Sequence, residues 1–349
     1  MTKRKFFVLF LLVFSVMLSS FTFYFYQVIY SPNILVERED RIIIIPDDVT
    51  YKSLQRQLVE GGYVNDLISF GFMSRIMKYD RHIKPGRYVL RRNMSNLEAV
   101  RLLRAGVQEP VNITFNNIRL IEELAPRITR NIALKEDAFN DALNQFVEKN
   151  AFGFNNQNII SMFLPDTYEV YYNISGEDLV GRMYYEYSKF WNEERLAKAE
   201  AIGLDAKQVS VLASIVQAET KRDEEAPTIA GLYINRLKKG MLLQADPTLV
   251  FAVGDFTLKR VLNEHKEIDS PYNTYKYKGL PPGPINMPRV NMIDAVLNYE
   301  SSNYLYMCAK EDFSGYHYFT HSYDQHLRNA ALYQRALSIE QRKARMNRK

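Results

Sequence analysis

After the cationic run TKRK, the chain continues from Phe6 to Val36 without one formally charged residue, and Phe6 to Tyr26 is dense in Phe, Leu, Val and Met. About 20 apolar residues suffice to cross a bilayer, so this stretch dictates a membrane-associated start and leaves the remainder to fold on its own. Basic residues before the span and the acidic Glu37, Glu39 and Asp40 after it predict a cytoplasmic N-terminus and an exported body. Tyr24, Tyr26 and Tyr30 would line the outer interface. A cleaved signal peptide would place its apolar region at Phe6 to Leu18, followed by Ser19 and Ser20, but no small-x-small site follows and the apolar character runs on. The retained anchor is therefore the preferred reading.

The net charge of +5 is concentrated at the ends, in Lys3, Arg4 and Lys5 and in Arg342, Lys343, Arg345, Arg348 and Lys349; the middle holds 37 basic against 40 acidic residues. A slightly acidic body argues against nucleic acid as a partner. The basic tail reads as a solvated, frayed helix end, or else as a membrane or wall-polymer contact. Cys308 is the only cysteine, so no internal disulfide can form, and its apolar context YLYMCA predicts a buried structural thiol.

From Arg41 to about Val111 the pattern is strand, helix, helix, strand, helix. RIIIIP is a short buried strand closed by Pro46, Tyr51 to Glu60 has helical spacing stopped by Gly61 and Gly62, and Phe70 to Lys78 is a second helix. PGRYVL is a strand, and Ser95 to Leu103 is a helix capped by Ser95 or Asn93 and ended at Gly106. VNITFNN alternates like a strand, Leu120 to Lys149 is mainly helical, and FLPDTYEVYY turns through Pro165 into an aromatic strand. Asp178 to Ala201 reads as one long helix.

The chemistry concentrates in the next helix. Asp205 with Gln208 forms a capping box, and helix continues through QVSVLASIVQAET. At helical spacing Leu212, Ile215, Val216 and Glu219 share one stripe, which places a carboxylate on an apolar face. Burial without a cation raises a Glu pKa, as a general acid near neutral pH requires. The competing reading has Glu219 pair with Lys221 or Arg236 and merely close the core, and periodicity alone favours it. Downstream, Pro227 to Leu237 forms a helix behind Glu224 and Glu225, closed by Asn235, Arg236 and Gly240. It is followed by the polar turn LLQADPTL and the Pro- and Gly-stiffened loop SPYNTYKYKGLPPGPI. Loops rich in Asn, Gln, Asp and Tyr make good sugar-binding walls. The 24 Tyr and 20 Phe suit stacking on sugars as well as ordinary cores.

IVQAET, INRLKKGMLLQADPT, YNTYKYKGLPPGPI and HYFTHSYDQH resemble, in order and spacing, the motifs of the MltG (YceG-like) endolytic murein transglycosylases. The likeness extends over nearly all of the chain: FLPDTY also matches, and residues 41–110 resemble that family's LysM-like domain. It implies an α+β protein with a transmembrane helix in 1–36, a small LysM-like α/β domain at 41–110, a catalytic domain at 111–340 and a basic tail at 341–349. The implied activity is cleavage of the bond between N-acetylmuramic acid and N-acetylglucosamine in glycan strands, leaving 1,6-anhydro ends and terminating nascent strands near the membrane. Peptidoglycan synthases become the candidate protein partners, and no cofactor is implied.

The family often carries two glutamates in this helix; here the first is Gln217, so the catalytic role falls on Glu219, with Gln217 expected to point off its face. The resemblance nominates Gln244, Asp246, Tyr272 and Asn273 for the cleft, with Asn235 and Arg236 behind them. Asp246, before Pro247, is expected to form a turn or position substrate rather than act as a second catalytic carboxylate. His317, His321 and His326 invite a metal, but a strand through HYFTH separates the first two by about 13 Å at roughly 3.3 Å per residue. His326 is therefore read as structural or substrate-contacting, with no metal. Two other functions fit the same sequence: a non-catalytic wall-binding scaffold, and a hydrolase using Asp246 as its second carboxylate.

Overall fold

In the computed structural model, which describes residues 3–258 and 261–346, the chain divides into two compact units. The first is the chain up to Asn112 together with Asn131–Leu134 and Glu169–Ile174; the second is Ile113–Arg130, Lys135–Tyr168 and the chain from Ser175 on. Arg348 and Lys349 of the basic tail lie outside the described residues.

The first unit begins with one apolar helix, α1 (Lys3–Tyr30), long and apolar enough to cross a membrane and exposed along nearly its whole length. There is no free tether after it. β1 (Pro32–Ile34) follows after one residue, Ile34 and Leu35 are buried, and Val28 inside α1 is already buried. Asn96 Nδ2 donates to Val28 O at 2.8 Å, and Asn33 Nδ2 donates to Asn96 Oδ1 at 2.7 Å, so a buried amide pair fastens the helix end to the unit.

β2 (Arg41–Ile45) pairs antiparallel with β3 (Gly86–Leu90), from Arg41 opposite Leu90 to Ile45 opposite Gly86. The four isoleucines do not form a strand buried on both faces. Ile43 and Ile45 enter the core while Ile42 and Ile44 stay exposed, the period-two outcome of a two-stranded sheet packed on one side. α2 (Tyr51–Glu60) and α3 (Leu67–Ile76) precede β3. β4 (Met94–Ser95) pairs with β1 and leads into α4 (Asn96–Ala105). Of the two expected caps for α4, Ser95 is the one used: Ser95 Oγ accepts from Glu98 N, and Glu98 Oε2 accepts from Ser95 N.

β5 (Val111–Phe115) pairs with β6 (Asp166–Val170). The expected helical stretch 120–149 is broken, into the short α5 (Leu124–Ile128) and α6 (Glu136–Lys149). The expected single helix at 178–201 is two, α7 (Gly176–Phe190) and α8 (Glu193–Ile202). The break falls where Trp191 turns inward and Asn192 Oδ1 accepts from Arg195 N at 3.0 Å, capping a new helix.

α9 (Ala206–Glu219) is buried at every position from Val209 to Val216, so the apolar stripe read from sequence is the whole circumference of a core helix. Around it pack α10 (Ala226–Lys238), α11 (Asp246–Val253) and α12 (Val290–Leu297). α11 replaces the turn expected at 242–249, because Pro247 in the first helical turn needs no backbone N–H and starts a helix instead of a loop. The hairpin of β7 (Tyr306–Ala309) and β8 (His317–Thr320) leads into the long α13 (Tyr323–Met346). Cys308 in β7 is half-buried, where full burial was expected.

Candidate active site

The site begins at the end of α9. Asp205 accepts from the backbone N–H groups of Lys207 and Gln208, and Gln208 Oε1 accepts from Asp205 N at 2.9 Å, fixing the start of the helix. Glu219 is the last helical residue; Thr220 turns out into extended backbone. The carboxylate therefore sits at the negative end of a helix dipole, where a proton is favoured over a charge.

Glu219 lines an open cleft of about 990 Å³ yet is surrounded by enough protein that burial pushes its carboxyl up to about 7. The Tyr233 hydroxyl, from α10, opposes that shift by donating to Glu219 Oε1 at 2.7 Å, the negative charge of Asp246 adds to it, and the Arg236 cation opposes it. Tyr233 is buried and its own pKa is driven well up by burial and by Glu219, so it remains a donor at every working pH.

A second tyrosine–carboxylate pair borders the same region. Tyr275 Oη donates to Asp246 Oδ1 at 2.5 Å, and Asp246 opens α11 on the cleft wall. The segment carrying Tyr275 is pinned to the start of α11: Gln244 N donates to Thr274 O at 3.0 Å, Ala245 N donates to Thr274 Oγ1 at 3.0 Å, and the Thr248 and Thr274 hydroxyls lie 2.8 Å apart.

Of the residues nominated from sequence, Glu219 and Asp246 line the cleft directly. Gln244 is exposed in the left-handed region (φ 50°), a conformation of non-glycine residues held here by its bond to Thr274. Tyr272 lies behind the wall, its ring centroid 4.6 Å from that of Phe251, which does face the cleft. Asn273 is fully buried, with Nδ2 donating to Lys266 O and Ile268 O at 2.8 Å each and Oδ1 accepting from Tyr275 N, so its amide builds the loop that presents Tyr275.

Asn235 donates to Ser302 O and Tyr304 O, and Arg236 donates to Leu305 O and Leu243 O at 2.6 Å each. Both brace loops, and Arg236 also contributes its charge to Glu219. His326 stacks on Tyr306 at 5.5 Å, with burial and the Arg236 charge holding it below the ordinary histidine range. His317 is paired with Glu225, Nδ1 to Oε2 at 2.9 Å, tying β8 to the start of α10. Among the described residues no cluster of His, Cys, Asp and Glu is arranged to hold a metal.

Gln217 does not point away from the cleft but lines it beside Glu219. Its amide is spent on the following loop, donating to Asn286 Oδ1 at 2.8 Å and accepting from Arg289 N at 2.7 Å. The cleft wraps around the end of α9, so residues two apart can both reach it. Sequence reasoning also passed over Tyr233 as the partner of Glu219, Tyr275 as the partner of Asp246, and Asn117, Arg119, Phe256, Tyr333 and Leu337 as further lining. A signal existed for Tyr233: an inward-facing tyrosine needs an acceptor and a buried carboxylate needs a donor. None marked the contribution of α13.

The model of the YceG-like family matches residues 43–332. A protein of Streptococcus pneumoniae (serotype 2, strain D39) named endolytic murein transglycosylase is 25% identical over 94% of this chain, and the chain spans 65% of that relative's length. A protein of the same name from Bacillus subtilis (strain 168) is 44% identical over 101 residues, 29% of this chain and 28% of that one. A solved YceG-like protein of Listeria monocytogenes shares the fold, with a TM-score of 0.53 and 24% identity over 83% of this chain and 98% of that one. The chain belongs to the YceG-like family.

Proposed function

We propose that this protein is an endolytic lytic transglycosylase of peptidoglycan glycan strands, with Glu219 as its single acid and base. The observation that carries the reading is a carboxyl poised at about 7 on the wall of a large cleft, with one oxygen held by Tyr233. Near neutral pH about half of such groups are protonated, so the same residue can give a proton and take one back.

In the forward step Glu219 protonates the glycosidic oxygen leaving C1 of N-acetylmuramic acid. It then removes the proton from the C6 hydroxyl of that sugar as the oxygen attacks C1, closing a 1,6-anhydro ring with no water consumed. Tyr233 fixes which oxygen faces the substrate. Asp246, held by Tyr275, positions the sugar and places negative charge near the cationic anomeric centre. Asn235, Arg236, Asn273 and the Tyr306–His326 stack hold the wall, and Tyr272 supports Phe251.

A hydrolase reading would make Asp246 the second carboxylate, and its place on the same cleft wall is the observation in favour. Purified wall sacculi digested with wild type and with Glu219→Gln, compared by mass spectrometry, separate the possibilities. Anhydro-muropeptides from wild type alone are expected. Reducing ends would mean hydrolysis, and no product from either would mean a scaffold.

α1 is a single-pass anchor with a cytoplasmic N-terminus and an exported body, residues 41–110 are a LysM-like domain, residues 111–340 are the catalytic domain and 341–349 a basic tail. The protein would terminate nascent strands beside peptidoglycan synthases.

A further inference from the structure

The cleft that contains Glu219 and Asp246 presents two acids to a ligand that, on the reading above, is itself acidic. Glycan strands of the wall carry carboxylates, either on the lactyl ether of a peptide-free muramic sugar or on the peptide stem. Like charges brought together in a cleft are repelled, so such a ligand needs a cation there. Among the described residues one cation lines the cleft, Arg119. Its guanidinium makes no ion pair with a described carboxylate and lies over the ring of Phe256 at 4.3 Å.

That placement is more than an arginine left in solvent. The preceding Ile118 is fully buried, its carbonyl accepts from Met287 N at 2.7 Å, and so the backbone that aims Arg119 is fixed. A guanidinium over an aromatic face spends none of its N–H donors on a hydrogen-bond acceptor there, which leaves its fork available for a bidentate carboxylate bond. Phe256 also lines the cleft, with the Phe251 ring 6.3 Å away on the same wall, which supplies an apolar surface for the face of a sugar. Phe251 lies in the second turn of α11, whereas Asp246 opens that helix.

We propose that Arg119, braced on Phe256, is a carboxylate-reading subsite through which the cleft selects acidic glycan over neutral glycan of the same backbone. The proposal rests on the glycan reading of the cleft, and its test separates the two.

Binding is measured without turnover, using the detergent-solubilised full chain carrying Glu219→Gln, with and without Arg119→Gln. The soluble ligands are a peptide-free muramic-acid strand, a stem-bearing strand and a neutral chitooligosaccharide. Arg119→Gln is expected to weaken an acidic ligand about ten-fold, the worth of one charge-assisted bidentate contact, and to leave the chitooligosaccharide unchanged. Loss confined to the peptide-free strand assigns the lactyl carboxylate; loss on the stem-bearing strand assigns the stem. Equal affinities with and without Arg119→Gln for both acidic ligands, or an equal loss for all three ligands, overturns the subsite while leaving the glycan reading intact. Failure of the Glu219→Gln chain to bind any of the three removes the glycan reading, and the subsite with it.

Discussion

Replacing Tyr233 with Phe deletes one oxygen and leaves the buried ring in place. That oxygen donates to Glu219 Oε1 at 2.7 Å. A hydrogen bond to a charged acceptor contributes about 1.5–3 kcal/mol. Because Glu219 lines an open cleft, water can replace part of the loss, so the lower end applies. At about 1.4 kcal/mol per pH unit this amounts to roughly one unit. The phenol stabilises the ionised carboxylate more than the neutral acid, so its removal raises a pKa that already stands at about 7. A general acid is active only while protonated, and the alkaline limb of kcat/KM against pH follows that pKa. The Tyr233→Phe chain should therefore keep its alkaline limb and move it about one unit upward, read as soluble product released from sacculi across a pH series. A limb that stays in place while the rate falls would mean that Tyr233 only packs. A limb moving to lower pH would refute the electrostatic argument itself.

Two further outcomes follow from the same geometry. The carboxyl of Glu219 is raised from 4.5 to about 7 on folding, so the folded chain holds that proton more tightly than the unfolded one, and stability falls as pH rises from about 4.5 through about 7. Glu219→Gln should thus match wild type in urea melts near pH 4 and exceed it near pH 8, by on the order of 3 kcal/mol at most; an equal advantage at both pH values would contradict this. Asn273→Ala strands the Tyr275 amide and two loop carbonyls and should cost on the order of 3 kcal/mol, visible as a lower Tm and a higher KM; an unchanged Tm would show that the loop does not depend on it.

Much of the secondary structure was legible because its signals are local. The capping box at Asp205 and Gln208, the stop at Gly106 and the limits of α2 are settled by residues within a few positions of one another. Leu120 to Lys149 is mainly helical, as read, whereas the helix break at Trp191 depends on that ring turning into the core, which a propensity argument along the chain cannot see. The turn expected through Asp246 and Pro247 is a helix start, because Pro in the first helical turn favours the helix.

For the site, a charged residue on a core helix was visible, and so were the motifs around it. Pairing was not. Tyr233 reaches Glu219 across 14 positions and Tyr275 reaches Asp246 across 29, while Asn273, quoted in the same motif, turns out to spend its amide on the loop backbone. Which member of a polar motif faces the cleft and which holds it in shape is decided by burial, a property of the folded chain.

The joint between α1 and the first unit has a mechanical meaning. Because Asn96 grips the carbonyl of Val28 and β1 begins two residues after the helix ends, axial position and rotation pass from α1 to that unit without slack. The helix behaves as a graduated rod. Each residue added or removed below Val28 would advance or withdraw the rod by about 1.5 Å and turn it by about 100°. If its lower end is held at a bilayer surface, the distance at which the first unit stands above that surface is written in the number of residues between Phe6 and Val28, in steps finer than a sugar ring.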